Sequence, residues 1–117
     1  MLNWNGVCKL ADLVVLLKAL ADGTRFRMVS LLLSRDLCVG ALARRLGLSD
    51  AAVSQHLRVL RQAGLVQGEK RGYWTHYTVQ RDVLKDLAAS LNDMALQGVA
   101  GHGGCGAGGK RFQESGE

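Results

Sequence analysis

The chain has 117 residues, 48% of them apolar and 21% charged, with a formal net charge of +5. That length allows about one domain with an ordinary core, and that balance excludes a disordered chain. Aromatic residues make up only 5% and Pro is absent, which favours helices packed through Leu, Val and Ala. The most apolar run, LVVLLKALA at 13–21, contains Lys18 and is too short to span a bilayer, and the N-terminus lacks the pattern of a secretory signal. A cytoplasmic protein without a membrane partner is therefore expected, and a pI near 9.5 fits an anionic partner. In a reducing compartment Cys8, Cys38 and Cys105 are expected as free thiols, sensors or metal ligands rather than as a disulfide framework.

In chain order, CKLADLVVLLKALAD places Leu10, Leu13, Leu17 and Leu20 on one helical face, widened by Val14 and Leu16. That stripe exceeds what one small neighbour covers and suits subunit pairing. A second helix follows, with Asp22 or Thr24 as its cap and Phe26, Val29 and Leu33 at helical spacing. After a short apolar step, a third helix runs through Leu42 and Leu46 and ends at Gly47. Ser49 or Asp50 then caps a fourth helix whose Val53, Leu57 and Leu60 face inward, while Ala51, Gln55, Arg58 and Gln62 lie on the opposite face beside Ser54. Gly64 stops that helix. Alternating residues on either side of EKRG predict a small two-stranded hairpin with a basic tip, with Gly72 supplying the turn chemistry. From about Asp82 helical periodicity returns through Val83, Leu84, Leu87, Leu91 and Met94. Residues 98–117 are Gly-dominated and read as a flexible tail, leaving 1–97 as the folded domain.

Two helices joined by a short turn containing Gly form a helix-turn-helix, whose second helix enters the DNA major groove. Close approach needs short side chains with a few longer ones to reach base edges. Ala51 and Ser54 permit approach. Gln55 and Arg58 reach, because Gln bonds bidentately to adenine and Arg to guanine. Ser49 and Ser54 suit phosphate, and His56 suits either role. At the hairpin Lys70 and Arg71 lie beside Tyr73, where cations reach phosphates or a minor groove. The expected fold class is thus mainly α with a small β-hairpin wing, and the expected partner is double-stranded operator DNA.

LADGTRFRMVSLL and LCVGALARRLGLSDAAVSQHLRVLRQAGLVQGEKRGYWTHYTV, taken together, resemble the arsenical- and metal-responsive ArsR/SmtB family of bacterial repressors over roughly residues 8–97. The resemblance implies a homodimer held by the first and last helices, with recognition helices about 34 Å apart on DNA, released when an inducer binds. In arsenical members a Cys-Val-Cys run holds the trivalent metalloid. Here that run reads Cys38-Val39-Gly40, and one thiolate is a poor site for a soft ion.

Cys8 and Cys105 are the other sources of thiolate, so a shared site of Cys8, Cys38 and Cys105 for trivalent arsenic or antimony, or another thiophilic metal ion, is the leading expectation. His102 offers a further ligand for a zinc- or cadmium-type site. Competing readings are a small buried hydrophobe for Cys38 and a solvated tail thiol for Cys105. Oxidation or sulfur bridging of two thiols is the alternative signal. The last helix offers Asp86 and Asp93 but no His, so a zinc site there is not expected. No enzyme is expected, because neither a nucleophile–base pair nor a phosphate loop in strand–helix context appears. A winged helix that binds protein instead of DNA is the competing class.

Overall fold

The computed structural model describes residues 2–3, 7–8 and 10–98. In chain order they form β1 (Leu2–Asn3), β2 (Val7–Cys8), α1 (Leu10–Leu20), α2 (Gly23–Ser34), β3 (Leu37–Cys38), α3 (Val39–Leu46), α4 (Asp50–Gln62), β4 (Val66–Arg71), β5 (Trp74–Val79) and α5 (Arg81–Leu96). Strands β1 and β2 pair with each other, whereas β3, β5 and β4 form a separate antiparallel sheet in that order. No helix among the described residues is long and apolar enough to cross a membrane.

Side chains from all five helices and the base of the sheet meet in one core. Leu13, Leu16 and Ala19 enter it from α1; Met28, Val29 and Leu32 from α2; Leu42 and Ala43 from α3; Val53, Leu57 and Leu60 from α4; and Leu87 from α5. Leu65, Val66 and Val79 close it at the start of the hairpin. Burying a Leu or Val side chain is worth about 1.5–3 kcal/mol, so this cluster sets the relative positions of the helices.

Several elements differ from the periodicity reading, for reasons of phase. In α1 the inward stripe is Leu13, Leu16 and Leu20, while Leu17 joins Val14 and Val15 on the exposed side. In α2 Phe26 is exposed, because Met28, Val29 and Leu32 take the inward face. The apolar step before α3 is itself a strand, so the sheet has three strands rather than two: Leu37 and Cys38 pair with Tyr77 and His76. The hairpin turn is Gly72–Tyr73, with Glu69, Lys70 and Arg71 still in β4. A two-residue hairpin loop needs positive φ, and Gly72 supplies it at 66°.

Helix ends are set by named groups. The Asp22 carboxylate accepts the Arg25 N–H at 3.0 Å at the start of α2, and the Arg81 guanidinium donates to the Leu33 carbonyl at 2.7 Å near its end. Gly47 terminates α3 in the left-handed region at φ 70°, and the Leu48 N–H returns to the Ala43 carbonyl at 3.0 Å.

A Cβ at position 47 meets nothing within 4 Å, so any cost there is purely conformational. Gly47→Ala is expected to destabilise the fold by about 1 kcal/mol. A lowered urea midpoint with unchanged slope measures this.

Candidate nucleic-acid interface

Helix α4 follows α3 after three residues, Gly47, Leu48 and Ser49. Ser49 is its cap: the hydroxyl accepts the Ala52 N–H at 3.1 Å, and Asp50 is the first helical residue. Since Val53, Leu57 and Leu60 are at most 2% exposed, helical geometry turns the opposite strip outward. Ala51, Ser54, Gln55 and Arg58 are all exposed on it and line one shallow depression of about 290 Å³. Short side chains lie at its N-terminal end and longer donors beyond them. A helix that meets the major groove by its N-terminal half needs this gradient.

The hairpin rises beside the C-terminal half of α4. Tyr73, at the turn, is 94% exposed and Trp74 is 62% exposed. Lys70 is exposed in β4. A helix-turn-helix flanked by an antiparallel hairpin is the winged-helix arrangement.

The family model described as "Bacterial regulatory protein, arsR family" matches residues 22–67. The transcriptional activator HlyU of Vibrio cholerae is 40% identical over 87 residues, covering 74% of this chain and 81% of HlyU. The chain belongs to the arsR family of bacterial regulatory proteins. A solved structure of reduced HlyU superimposes with a TM-score of 0.59 at 38% identity, over 74% of this chain and 92% of that one. The arsenic resistance transcriptional regulator ArsR1 of Pseudomonas putida is 41% identical over 79 residues, 66% of this chain and 61% of that protein. The homodimeric winged helix-turn-helix DNA-binding domain Mb0332 of Mycobacterium bovis superimposes with a TM-score of 0.63 at 28% identity, over 80% of this chain and 90% of that one. The chain is thus a DNA-binding transcriptional regulator of the winged helix-turn-helix type, and its relatives belong to a non-enzymatic family.

Within this arsR-family regulator two of the residues expected at the DNA surface are engaged elsewhere. His56 is half-buried, one position off the exposed strip, and its Nδ1 lies 3.3 Å from the Arg25 guanidinium. A single residue step turns a helical side chain by about 100°, enough to move it from the open face toward α2. Arg71 donates to Asp36 at 2.7 Å and to Glu69 at 2.9 Å. These two carboxylates, Glu69 foremost, hold its guanidinium charged more firmly than usual. Arg71 therefore ties the wing to the loop before β3 instead of extending from a free tip.

Cys38 is half-buried with a free thiol at the cap position of α3, and its side chain makes no capping bond among the described residues. The strand register sets it opposite His76, whose Nδ1 is buried without a hydrogen-bond partner among the described residues. Cys8 belongs to β2, opposite Leu2, while Cys105 and His102 lie outside the described residues. Among the described residues no group of three His, Cys, Asp or Glu side chains comes together that could hold a metal ion. The described part of the chain thus contributes one placed thiol and a neighbouring imidazole.

Arg61, Gln67 and Trp74 are also exposed on this side of α4 and the hairpin, and the sequence reading did not single them out. Arg61 follows Arg58 by three positions, a spacing that the periodicity already contained. Arg25 is the other omission. It donates to the Ala19 carbonyl at 2.7 Å and the Lys18 carbonyl at 3.4 Å, lies 4.0 Å from Asp22, and reaches His56. One guanidinium thereby links the end of α1, the start of α2 and the recognition helix α4.

The Arg25 backbone N–H, followed by the guanidinium, holds the Asp22 carboxyl below its ordinary 3.8. A depressed carboxyl pKa contributes stability that is present above 3.8 and is lost as pH falls through the lowered value. Asp22→Asn is expected to flatten the acid limb of the stability profile below about pH 4. Parallel acid limbs in wild type and variant, measured by urea unfolding between pH 2 and 6, count against that assignment.

Proposed function

We propose that this chain is an operator-binding repressor that acts as a homodimer and leaves DNA when a thiophilic ion such as arsenite or antimonite binds its thiolates. The observation that carries DNA reading is the exposed strip of Ala51, Ser54, Gln55 and Arg58 on the second helix of a helix-turn-helix. Gln55 and Arg58 then read base edges, Ser49 and Ser54 contact phosphate, and Lys70 and Tyr73 on the wing hold the flanking backbone. His56 and Arg71 act as positioning residues in this reading, through Arg25 and through Asp36 with Glu69.

Dimerisation is supported by an apolar surface left exposed among the described residues. Val14, Val15 and Leu17 on α1 and Leu91, Met94 and Leu96 on α5 are exposed, and α1 and α5 touch. A patch of this kind marks an interaction surface. A two-fold axis there sets two copies of α4 on successive turns of one duplex face, about 34 Å apart.

The signal enters at Cys38 in this reading, supported by its place at the cap of α3 and by the arsenic resistance regulator among the relatives. A soft trivalent ion needs further thiolates, which Cys8 and Cys105 supply, within one subunit or across two. If the ion prefers the conformation that mis-spaces the two α4 helices, a coupling of about 1–3 kcal/mol gives roughly a 5- to 150-fold change in DNA affinity. The second reading is redox: two thiols lose two protons and two electrons to a peroxide-class oxidant and form a disulfide. It is favoured by a relative whose structure is specified as the reduced form.

Gel-shift titration with the DNA upstream of the chain's own gene tests these points, run with and without arsenite, antimonite, cadmium, zinc and peroxide. Cys38→Ser is expected to bind that DNA as wild type does and to ignore the inducer; loss of binding in the inducer-free variant contradicts this. Arg58→Ala is expected to relax base preference at its contacted position by about 1–3 kcal/mol of discrimination. An unchanged preference in a panel of single-base operator variants removes Arg58 from base readout.

A further inference from the structure

A second concavity adjoins the recognition strip. It lies between the C-terminal half of α4 and the first half of β4, has a volume of about 500 Å³, and is lined by Arg58, Arg61, Gln62, Val66, Gln67 and Gly68. Arg58 is common to this groove and to the depression over Ala51, Ser54 and Gln55. The two form one surface running from residue 51 to residue 61, about 15 Å along the helix axis.

The groove carries two cations and no carboxylate. Arg71 is consumed by Asp36 and Glu69, and Arg25 by Asp22 and two carbonyls. Neither Arg58 nor Arg61 is paired with a carboxylate among the described residues, and no Asp or Glu lines the groove. Its remaining polar lining, Gln62 and Gln67, is neutral. Two unpaired guanidinium groups over a neutral floor select an anion, and a phosphate suits the fork of donors that Arg presents. A position beside the last turns of a helix whose N-terminal half lies in the major groove is where the backbone of a duplex strand passes.

We infer that the α4–β4 groove binds the phosphodiester backbone of the strand flanking the base contacts, with Arg61 as its phosphate ligand and Gln67 supplying a neutral donor. This rests on the DNA-reading role of α4 and extends it: the strip reads sequence, and the groove holds the strand in register without reading it. Arg58, lying between the two, divides them.

Fluorescence anisotropy of the full chain tests this with two labelled duplexes, the DNA upstream of its own gene and a random sequence of equal length. Arg61→Ala is expected to weaken both equally, by about fivefold per subunit at 0.15 M salt, and to lower the slope of log affinity against log salt by about 0.9 per subunit. Arg61→Lys, which keeps the charge, is expected to retain most of both, and an unchanged melting temperature certifies the fold of each variant.

Unchanged affinity and slope in Arg61→Ala, with wild type binding normally, overturn the groove assignment and leave α4 recognition standing. A loss confined to the upstream duplex also overturns it, since the groove then reads bases. Tighter binding by wild type to single-stranded RNA than to either duplex overturns it as well. If wild type binds neither duplex, the DNA-reading role itself fails.

Discussion

The rotational phase of α4 is the constraint on which the rest depends. Val53, Leu57 and Leu60 are sealed in the core, and their contacts with α1, α2 and α3 allow the helix no other orientation about its axis. A rotation by one residue brings Ser54 into the core and Val53 out of it, exchanging a packed aliphatic group for a hydroxyl with no partner. The exposed strip is thus specified by what lies behind it. The open face itself carries little folding energy, so its side chains are free to be chosen for contact with a partner.

The chain separates its cations into two uses. Arg25, Arg71 and Arg81 spend their donors on the protein: on the ends of α1 and α2, on the start of α2, and on the loop before β3. Surface ion pairs of this kind contribute little net stability, and their effect is placement. Arg25 joins α1, α2 and α4 through one side chain. Arg71 makes the wing and the segment leading to Cys38 one unit. Arg58 and Arg61 have no such partners among the described residues. A net charge of +5 is therefore a poor guide to the charge available for DNA.

Much of this was legible in the sequence where several signals coincided. Helix α4 had a cap at Ser49 or Asp50, aliphatic residues at i, i+4 and i+7, and a Gly two residues past its end, and its inward and outward faces follow those signals. The legible part stopped where a single signal had to carry an element. Strand β3 is two residues long, too short for alternation to register, and exists only because β5 offers an edge. The basic run EKRG resembles a turn by composition, yet the two-residue loop is Gly72–Tyr73, with Gly72 at the positive φ it demands, so the strand continues to Arg71. In α1, nearly every position is apolar, and periodicity cannot choose between Leu16 and Leu17 as the inward residue. The ion pair of Arg71 with Asp36 and the bridge from Arg25 to His56 join residues 35 and 31 positions apart, beyond any local pattern.

The location of Cys38 bears on how a signal at that residue reaches DNA in the proposed mechanism. It ends β3 and caps α3, whose last turn leads through Gly47, Leu48 and Ser49 into α4. Two rigid routes leave it: through α3 to the recognition helix, and through the β3–β5 pairing and the Asp36–Arg71 contact to the wing. A ligand or an oxidant that pulls on Cys38 acts on both DNA-contacting parts of the same subunit. Because α3 and α4 share a packed core, a displacement at one end of α3 is carried as a rigid-body tilt rather than absorbed locally. A tilt alters the spacing of two recognition helices across a dimer axis more than it alters either contact surface. A sensor at this cap can therefore weaken operator binding while leaving each subunit's own DNA-reading strip intact.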